Sequence, residues 1–233
     1  MPRDIKSAAS PRLRVEPSVV PRAFYDRDTR RVARALLGKV LVRRAGRRLL
    51  TGRIVETEAY LGAEDAAAHS APGPTARNRV IFGPPGHAYV YFIYGNHYCL
   101  NVNCLPEGEA GCVLIRALEP LAGLEHMARN RGLALDRRRL ERKALETGAP
   151  RLLRQLTTGP GRLCEAFAIT RQRDNGKDVT SPRSDLTIAD DGVRPRRILT
   201  TPRIGITKSA DEMLRYVIEG NPFVSGPVFR TKK

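Results

Sequence analysis

The spacing of apolar residues divides the chain into a strand-rich first part and a helical stretch beyond Pro120. After Asp28, a candidate N-cap, Val32, Ala35 and Leu36 recur at helical spacing until Gly38, which predicts one short helix. Lys39 to Arg44 reads as a strand, Ala45-Gly46 as a turn, and Leu49 to about Tyr60 as a second strand. Side chains alternate between faces of an extended chain, so Ile54, Glu56, Glu58 and Tyr60 are expected on one face, aligning a carboxylate with an aromatic ring. Gly62 to Gly86 is irregular, rich in Pro, Gly and Ala, and holds His69, Arg77, Asn78 and Arg79; loops of this length in compact domains are functional or disordered. Tyr89 to Ile93 and Tyr98 to Asn103 alternate as strands around Tyr94-Gly95-Asn96-His97, the pattern of a hairpin with an aromatic ring at its tip. A third strand, Cys112 to Leu118, follows a turn at Pro106-Glu107-Gly108. Strands joined by short turns pair antiparallel, so the expected class is α+β: a single mixed domain with a curved, mainly antiparallel sheet, flanking helices and a protruding β-hairpin.

Beyond Pro120, Leu121, Leu124, Met127 and Ala128 repeat at helical spacing before Gly132, and further helices are expected over about Asp136 to Thr147 and Pro150 to Leu156. Arg129, Arg131, Arg137, Arg138, Arg139, Arg142 and Lys143 make this the most basic region, which is either a solvated helix face or a nucleic-acid surface. Thr158-Gly-Pro-Gly-Arg162 is a Gly-rich turn just before the apolar Leu163, Ala166, Phe167 and Ile169, and such a turn can offer backbone N–H groups to a phosphate. From Lys177 onward, strands punctuated by Pro run to Asn221-Pro-Phe-Val-Ser225. Residues 1–21, with Pro2, Pro11, Pro17, Pro21 and scattered Arg, show no period and read as a disordered basic tail, leaving 22–233 as one domain.

Charge narrows the partner. Lys and Arg number 41 against 24 Asp and Glu, a net charge of +17, which concentrates phosphate polyanions and supplies salt-dependent affinity, although charge alone names no reaction. Cys99, Cys104, Cys112 and Cys164 match neither a metal pair nor a disulfide framework and read as buried apolar residues in a reducing compartment. No run approaches a membrane span and the N-terminus lacks a signal-peptide core, so a cytoplasmic, nucleoid-associated protein acting as a monomer is the expectation.

Excision of a base from duplex DNA needs a wedge to fill the gap, aromatic faces to enclose the extruded base, and a carboxylate that activates water and stabilises positive charge on the sugar. Tyr94 at the hairpin tip suits the wedge, Tyr60, His69 and Tyr91 the enclosure, and Glu58 the carboxylate. Singly, each has a plainer reading. Tyr89, Tyr91 and Tyr98 fit ordinary sheet aromatics, and Asn101 and Asn103 fit polar positions on a wet sheet face. Glu56 and Glu58 fit plain ion pairs with Arg53 or Arg116, and such a pair would depress the pKa of Glu58 and keep it ionised.

The runs Gly52-Arg-Ile-Val-Glu-Thr-Glu-Ala-Tyr-Leu-Gly62, Ala67-Ala-His69-Ser70, Arg77-Asn-Arg79, Tyr89-Val-Tyr-Phe-Ile-Tyr-Gly95 and Val113-Leu-Ile-Arg-Ala-Leu-Glu-Pro120 together resemble the alkyladenine (3-methyladenine, methylpurine) DNA glycosylase family. The likeness extends more loosely to Gly159-Pro-Gly-Arg-Leu-Cys164, Pro202-Arg-Ile-Gly-Ile206 and Gly220-Asn-Pro-Phe-Val-Ser225, and covers roughly 22–226. Several ordered motifs of this length are more specific than any one constellation.

The resemblance implies a single α/β-mixed domain that hydrolyses the N-glycosidic bond of 3-methyladenine, 7-methylguanine, hypoxanthine or ethenoadenine in double-stranded DNA, with no metal or other cofactor. It implies that Glu58 is the water-activating base and that Arg116 helps hold water and the sugar-phosphate. Tyr60, His69 and Tyr91 enclose the flipped base, Tyr89 supports the pocket, and Asn101 disfavours guanine through its exocyclic amine. Tyr94 intercalates, and Arg77, Arg79, Gly161 and Arg162 meet the DNA backbone. Departures are Asn96-His97-Tyr98, where relatives are more apolar, and Arg162, where Lys is common. Two rival readings remain. A bifunctional lyase would need a Schiff-base lysine, for which Lys39 is the candidate near the motifs although no pattern desolvates it; a non-catalytic DNA- or RNA-binding module would need only the charge and exposed tyrosines.

Overall fold

The computed structural model describes residues 18–93, 95–134 and 151–227. Tyr94, the helix expected over 136–147 and residues 1–17 of the basic tail lie outside the described residues. The fold begins earlier than expected: Ser18–Val19 is a strand (β1), and Val20 is buried. Its backbone pairs with a late strand, so the boundary drawn at 21 cuts into the sheet. Helix α1, Thr29–Leu36, starts where Asp28 accepts a hydrogen bond from the Arg31 amide at 3.0 Å. Thr29, Val32, Ala33 and Leu36 form its buried face, so Ala33 takes the place expected of Ala35.

Strands β2 (Val40–Ala45) and β3 (Arg48–Tyr60) form a hairpin; β4 (Ala88–Ile93) and β5 (His97–Cys104) form another, closed by the pair Ile93↔His97. Strand β6 runs from Gly111 to Ala122, beyond Pro120, where helix was expected. A ladder register shift beside the Gly52↔Pro120 pair accommodates a residue with no N–H to donate. The remaining strands are β7 (Leu186–Asp190), β8 (Ile198–Thr201) and β9 (Arg215–Ile218). The sheet has the order β1-β7-β2-β3-β6-β5-β4, with β9 on β3 and β8 on β9, and every named pairing is antiparallel. The α+β expectation holds.

Helices α2 (Leu124–Asn130), α3 (Arg151–Thr157), α4 (Pro160–Ala166) and α5 (Arg171–Asp174) follow the central strands. With α1 they enclose one main core that includes Leu36, Ile54, Leu100, Ile115, Leu118, Leu163 and Phe167. All four cysteines are free and buried, as their spacing implied. Among the described residues no helix is long and apolar enough to cross a membrane.

Two ladder irregularities in β3 and β6 set up the site. Ile54 pairs with Leu118 and Glu56 with Ala117, which leaves Val55 as an extra residue and reverses the alternation. Ile54 therefore packs into the main core, while Glu56, Glu58 and Tyr60 face the opposite side; the expected shared face for all four is corrected by this bulge. One step on, Glu56 pairs with Ala117 and Thr57 with Ile115, so Arg116 is the extra residue on β6, and its side chain turns onto both glutamates.

Candidate active site

Register places the candidate residues in rows across the sheet. Glu58 pairs with Leu114, Leu114 with Asn101 and Asn101 with Tyr89, so these four share one face. In adjacent rows Tyr60 pairs with Cys112, and Tyr91 with Cys99. That face borders two adjoining cavities. The larger, about 540 Å³, is lined by Tyr60, Tyr91, Cys99, Leu114 and Arg116 on one side. Thr158 to Arg162 and Ile204 to Ile206 line the other. The smaller, about 110 Å³, is lined by Tyr60, His69, Tyr89, Tyr91, Asn101 and Ile206 among others.

The Glu58 side chain is wholly buried and lies one layer behind the cavity wall rather than in it. Its Oε2 accepts from the Tyr60 hydroxyl at 3.0 Å and from Arg116 Nη1 at 3.2 Å, and its Oε1 accepts from the Ile204 amide at 2.8 Å. All three donor residues also line the larger cavity, so the carboxylate is reached from it past them. Burial pushes the Glu58 carboxyl above the ordinary glutamate range, against the opposing pull of Arg116, the Ile204 amide and the Tyr60 hydroxyl. The ion pair was expected to depress this pKa; loss of water outweighs one shared guanidinium, and the direction is the reverse. Arg116 is shared because its Nε donates to Glu56 Oε1 at 2.9 Å. Arg53, the other expected partner, instead binds Asp191 through both Nη atoms, at 3.0 and 2.8 Å.

His69 and Tyr91 meet with ring centroids 4.4 Å apart at 63°, too close to admit a third ring between them. They form one aromatic wall, with Tyr89 at 5.5 Å from Tyr91, while Tyr60 lines both cavities. His69 Nδ1 is 3.0 Å from the Tyr89 hydroxyl. Burial, aided by the Arg77 charge, holds the imidazole below its usual pKa and hence neutral at pH 7. Burial pushes the Tyr89 phenol up to about 12. Asn101 is fixed by donating its side-chain amide to the Tyr89 carbonyl at 3.2 Å.

The expected backbone contacts separate into two groups. Gly161 and Arg162 line the larger cavity, and Pro160 opens α4 at its first turn. A Cβ at Gly161 would lie 2.9 Å from the His97 ring, so only glycine lets the turn approach the hairpin there. Arg77 sits instead by the Tyr89 phenol and His69, and Arg79 is exposed and lines neither cavity. Lys39 is buried, contrary to expectation, and its ammonium pairs with Asp190 at 2.8 Å, remote from the cavity lining.

Sequence reasoning assigned no role to several residues at this site. The Ile204 amide gives no side-chain signal; the only hint was the quoted run Pro202 to Ile206. Glu165 accepts from His97 Nδ1 at 3.0 Å and from Arg131, tying the hairpin to α4 and α2 across the cavity. Buried Arg215 and Ser225 complete the seat of Glu56.

A family profile described as methylpurine-DNA glycosylase matches residues 23–222. The chain is 63% identical over 207 residues to a protein of Koribacter versatilis, covering 89% of this chain and 93% of that one. It is 42% identical over 211 residues to one of Anaeromyxobacter dehalogenans (89% and 86% covered) and 47% identical over 199 residues to one of Methanocella arvoryzae (84% and 89% covered). Each of these relatives is named, provisionally, a 3-methyladenine DNA glycosylase. A match over this span, joined to the carboxylate and aromatic walls just described, places the chain in the methylpurine-DNA glycosylase family.

Proposed function

We propose that the protein is a monofunctional DNA glycosylase that takes a damaged purine out of double-stranded DNA and hydrolyses its N-glycosidic bond with water activated by Glu58. The observation that carries this reading is the Glu58 seat: a buried carboxylate of raised proton affinity, held by Tyr60, Arg116 and Ile204, which themselves line an aromatic-walled cavity. A carboxylate with raised pKa is a stronger base, and its charge opposes the positive charge that develops on the ribose as the base departs. The everted base would lie between Tyr60 and the His69–Tyr91 wall, with Tyr89 behind it. Asn101, held rigid by its amide hydrogen bond, would meet the exocyclic amine of a normal guanine. Neutral His69 would serve the base edge as a hydrogen-bond partner. Tyr94 would fill the gap in the stack, and the turn at Gly161 and Arg162 would hold the backbone.

Cationic 3-methyladenine and 7-methylguanine leave readily, whereas hypoxanthine and ethenoadenine need help from hydrogen bonds at the ring, so ease of unstacking and pocket contacts would share the selectivity. Water in the larger cavity would meet Glu58 past Tyr60, Arg116 and Ile204, which line it. Incubation with a hypoxanthine-containing duplex followed by alkaline cleavage should reveal abasic sites with the wild type and none with Glu58→Gln, which should still bind the duplex. Release by that variant near the wild-type rate would remove the assigned role, and absence of release by the wild type from any of the four lesions would favour a non-catalytic binding module.

A further inference from the structure

Asp65 and Arg203 form an ion pair whose two side chains are wholly buried, and the mechanism above makes no use of it. Arg203 Nη2 donates to Asp65 Oδ1 at 2.8 Å, and Nη1 donates to Asp65 Oδ2 and to the Ala59 carbonyl, the latter at 3.0 Å. The same guanidinium lies over the Tyr60 ring, 4.7 Å from its centroid. Asp65 also accepts from the amides of Leu61 at 3.1 Å and Ala67 at 3.0 Å. One pair thus ties the end of β3, the loop leading to His69 and the segment beginning at Pro202. The next residue along that segment, Ile204, gives its amide to Glu58.

Such a clamp is expensive to bury and difficult to explain by stability alone, because a buried ion pair is often replaceable by apolar packing without loss. Its placement is specific. Arg203 grips the carbonyl between Glu58 and Tyr60, covers the ring whose hydroxyl donates to Glu58 and fixes the backbone amide that donates to its other oxygen. We propose that Arg203, locked by Asp65, is a positioning residue for the Glu58 carboxylate, holding Tyr60 and the Ile204 amide in the geometry that orients it toward the cavity. This rests on the reading of Glu58 as the base. Lysine cannot replace the role in full, since the planar fork serves Asp65 and Ala59 at once while its face lies on the ring.

The groups that face Glu58 are Arg116 from β6, Tyr60 and Glu56 from β3, Cys99 from β5 and Arg203 from the segment after β8, with Arg215 of β9 behind Glu56. Loss of the Arg203 clamp removes a nearby positive charge and frees two donors, so Glu58 should take up its proton at higher pH. The test compares the wild type, Arg203→Gln, Arg203→Lys and Asp65→Asn, the last keeping a hydrogen-bonding side chain of the same shape should Arg203→Gln fold poorly. Two readouts are taken on folded protein: single-turnover base release from a 7-methylguanine duplex across pH, and the ¹³C titration of the Glu58 carboxyl, assigned by its absence in Glu58→Gln. Expected are a tenfold or greater fall in release at neutral pH with duplex affinity changed less than threefold, an acid limb and a ¹³C midpoint both moved upward, and partial recovery in Arg203→Lys. Variants that melt earlier yet keep the wild-type rate, acid limb and midpoint would reduce the pair to a structural staple and overturn the proposal. A wild type with no base release, but whose ¹³C midpoint still moves in the variants, would count against the enzyme reading and not against the clamp.

Discussion

Glu56 and Glu58 stand two residues apart on one face of β3, both with wholly buried side chains, yet the protein receives them differently. Glu56 accepts from Arg116 Nε at 2.9 Å, Arg215 Nε at 2.7 Å, and the Ser225 amide and hydroxyl at 2.6 and 3.0 Å. Two guanidiniums face it, and Arg116 alone of its donors lines the cavity. Glu58 has the spare arm of Arg116 and two neutral donors, and all three donors belong to the cavity wall. Equal burial thus yields an anchor in one case and, on the proposed function, a poised base in the other. What separates them is how much of the lost hydration is replaced by positive charge.

The pair can be broken one member at a time. Glu58→Gln should lower base release by about 10²- to 10⁴-fold, the usual contribution of a general base, while leaving the melting temperature unchanged or higher, because a neutral side chain no longer bears the cost of charge burial. Glu56→Ala strands Arg215 and half of Arg116, and breaking a buried pair typically costs about 3–5 kcal/mol, so this variant should melt far earlier. Denaturant melts and single-turnover assays on both proteins check the contrast. Equal stability losses in the two would erase it.

Acidity sharpens the same comparison. If Glu58 is the base proposed, it must be ionised to accept a proton from water, so with a 7-methylguanine duplex, which needs no acid to release its base, kcat/KM should fall on an acid limb above the ordinary glutamate range. For stability the sign runs the other way from a salt-bridged carboxylate. A folded-state pKa raised above the unfolded one stabilises below the unfolded value, and that contribution is lost as pH rises through the folded value. Stability of Glu58→Gln relative to wild type should therefore climb across that window. Asp185, lowered to about 2 by Lys177 and Arg173 despite partial burial, contributes stability present above its unfolded pKa and lost as pH falls toward 2. A gap between wild type and Glu58→Gln that is flat with pH would show that the carboxyl is not displaced upward.

The strands and α1 were legible in the sequence because each follows a local rule: period two between turn residues, or an N-cap followed by a 3.6-residue repeat. The row Glu58, Leu114, Asn101, Tyr89 follows from antiparallel register once those strands are paired. What escaped were features that depend on distant partners. The bulge at Val55 and the displaced Arg116 exist because β2, β6 and β9 all pair with β3, and no window of sequence around Ile54 records that. Continuation of β6 past Pro120 needed the shift opposite Thr51 and Gly52, which lies on another strand. Lys39 gave no sign of burial because its partner Asp190 is on β7. The direction of the Glu58 pKa was misjudged for a related reason: sequence offers the arginine but not how many carboxylates share it.

Borohydride separates water attack from lysine attack cheaply: with Lys39 held by Asp190 and absent from the cavity lining, reduction during turnover should trap no protein–DNA adduct, and Lys39→Ala should release base at the wild-type rate if it folds. A trapped adduct would bring the lyase back.

The smallest effect expected is the most discriminating about how Glu58 is held. Tyr60→Phe keeps the ring that lines both cavities and lies under Arg203, and deletes only the hydroxyl that donates to Glu58 Oε2 at 3.0 Å. Since that hydroxyl lowers the carboxyl pKa, its loss should move the acid limb upward again while Arg116 and the Ile204 amide keep the group in place. A neutral hydrogen bond contributes about 0.5–1.5 kcal/mol, so the rate at neutral pH should fall roughly tenfold or less, with affinity for the duplex preserved because the stacking face is intact. A loss as large as that of Glu58→Gln would mean that the phenol itself takes part in proton transfer, and the division between an anchored Glu56 and a poised Glu58 would have to include Tyr60 as a third ionising partner.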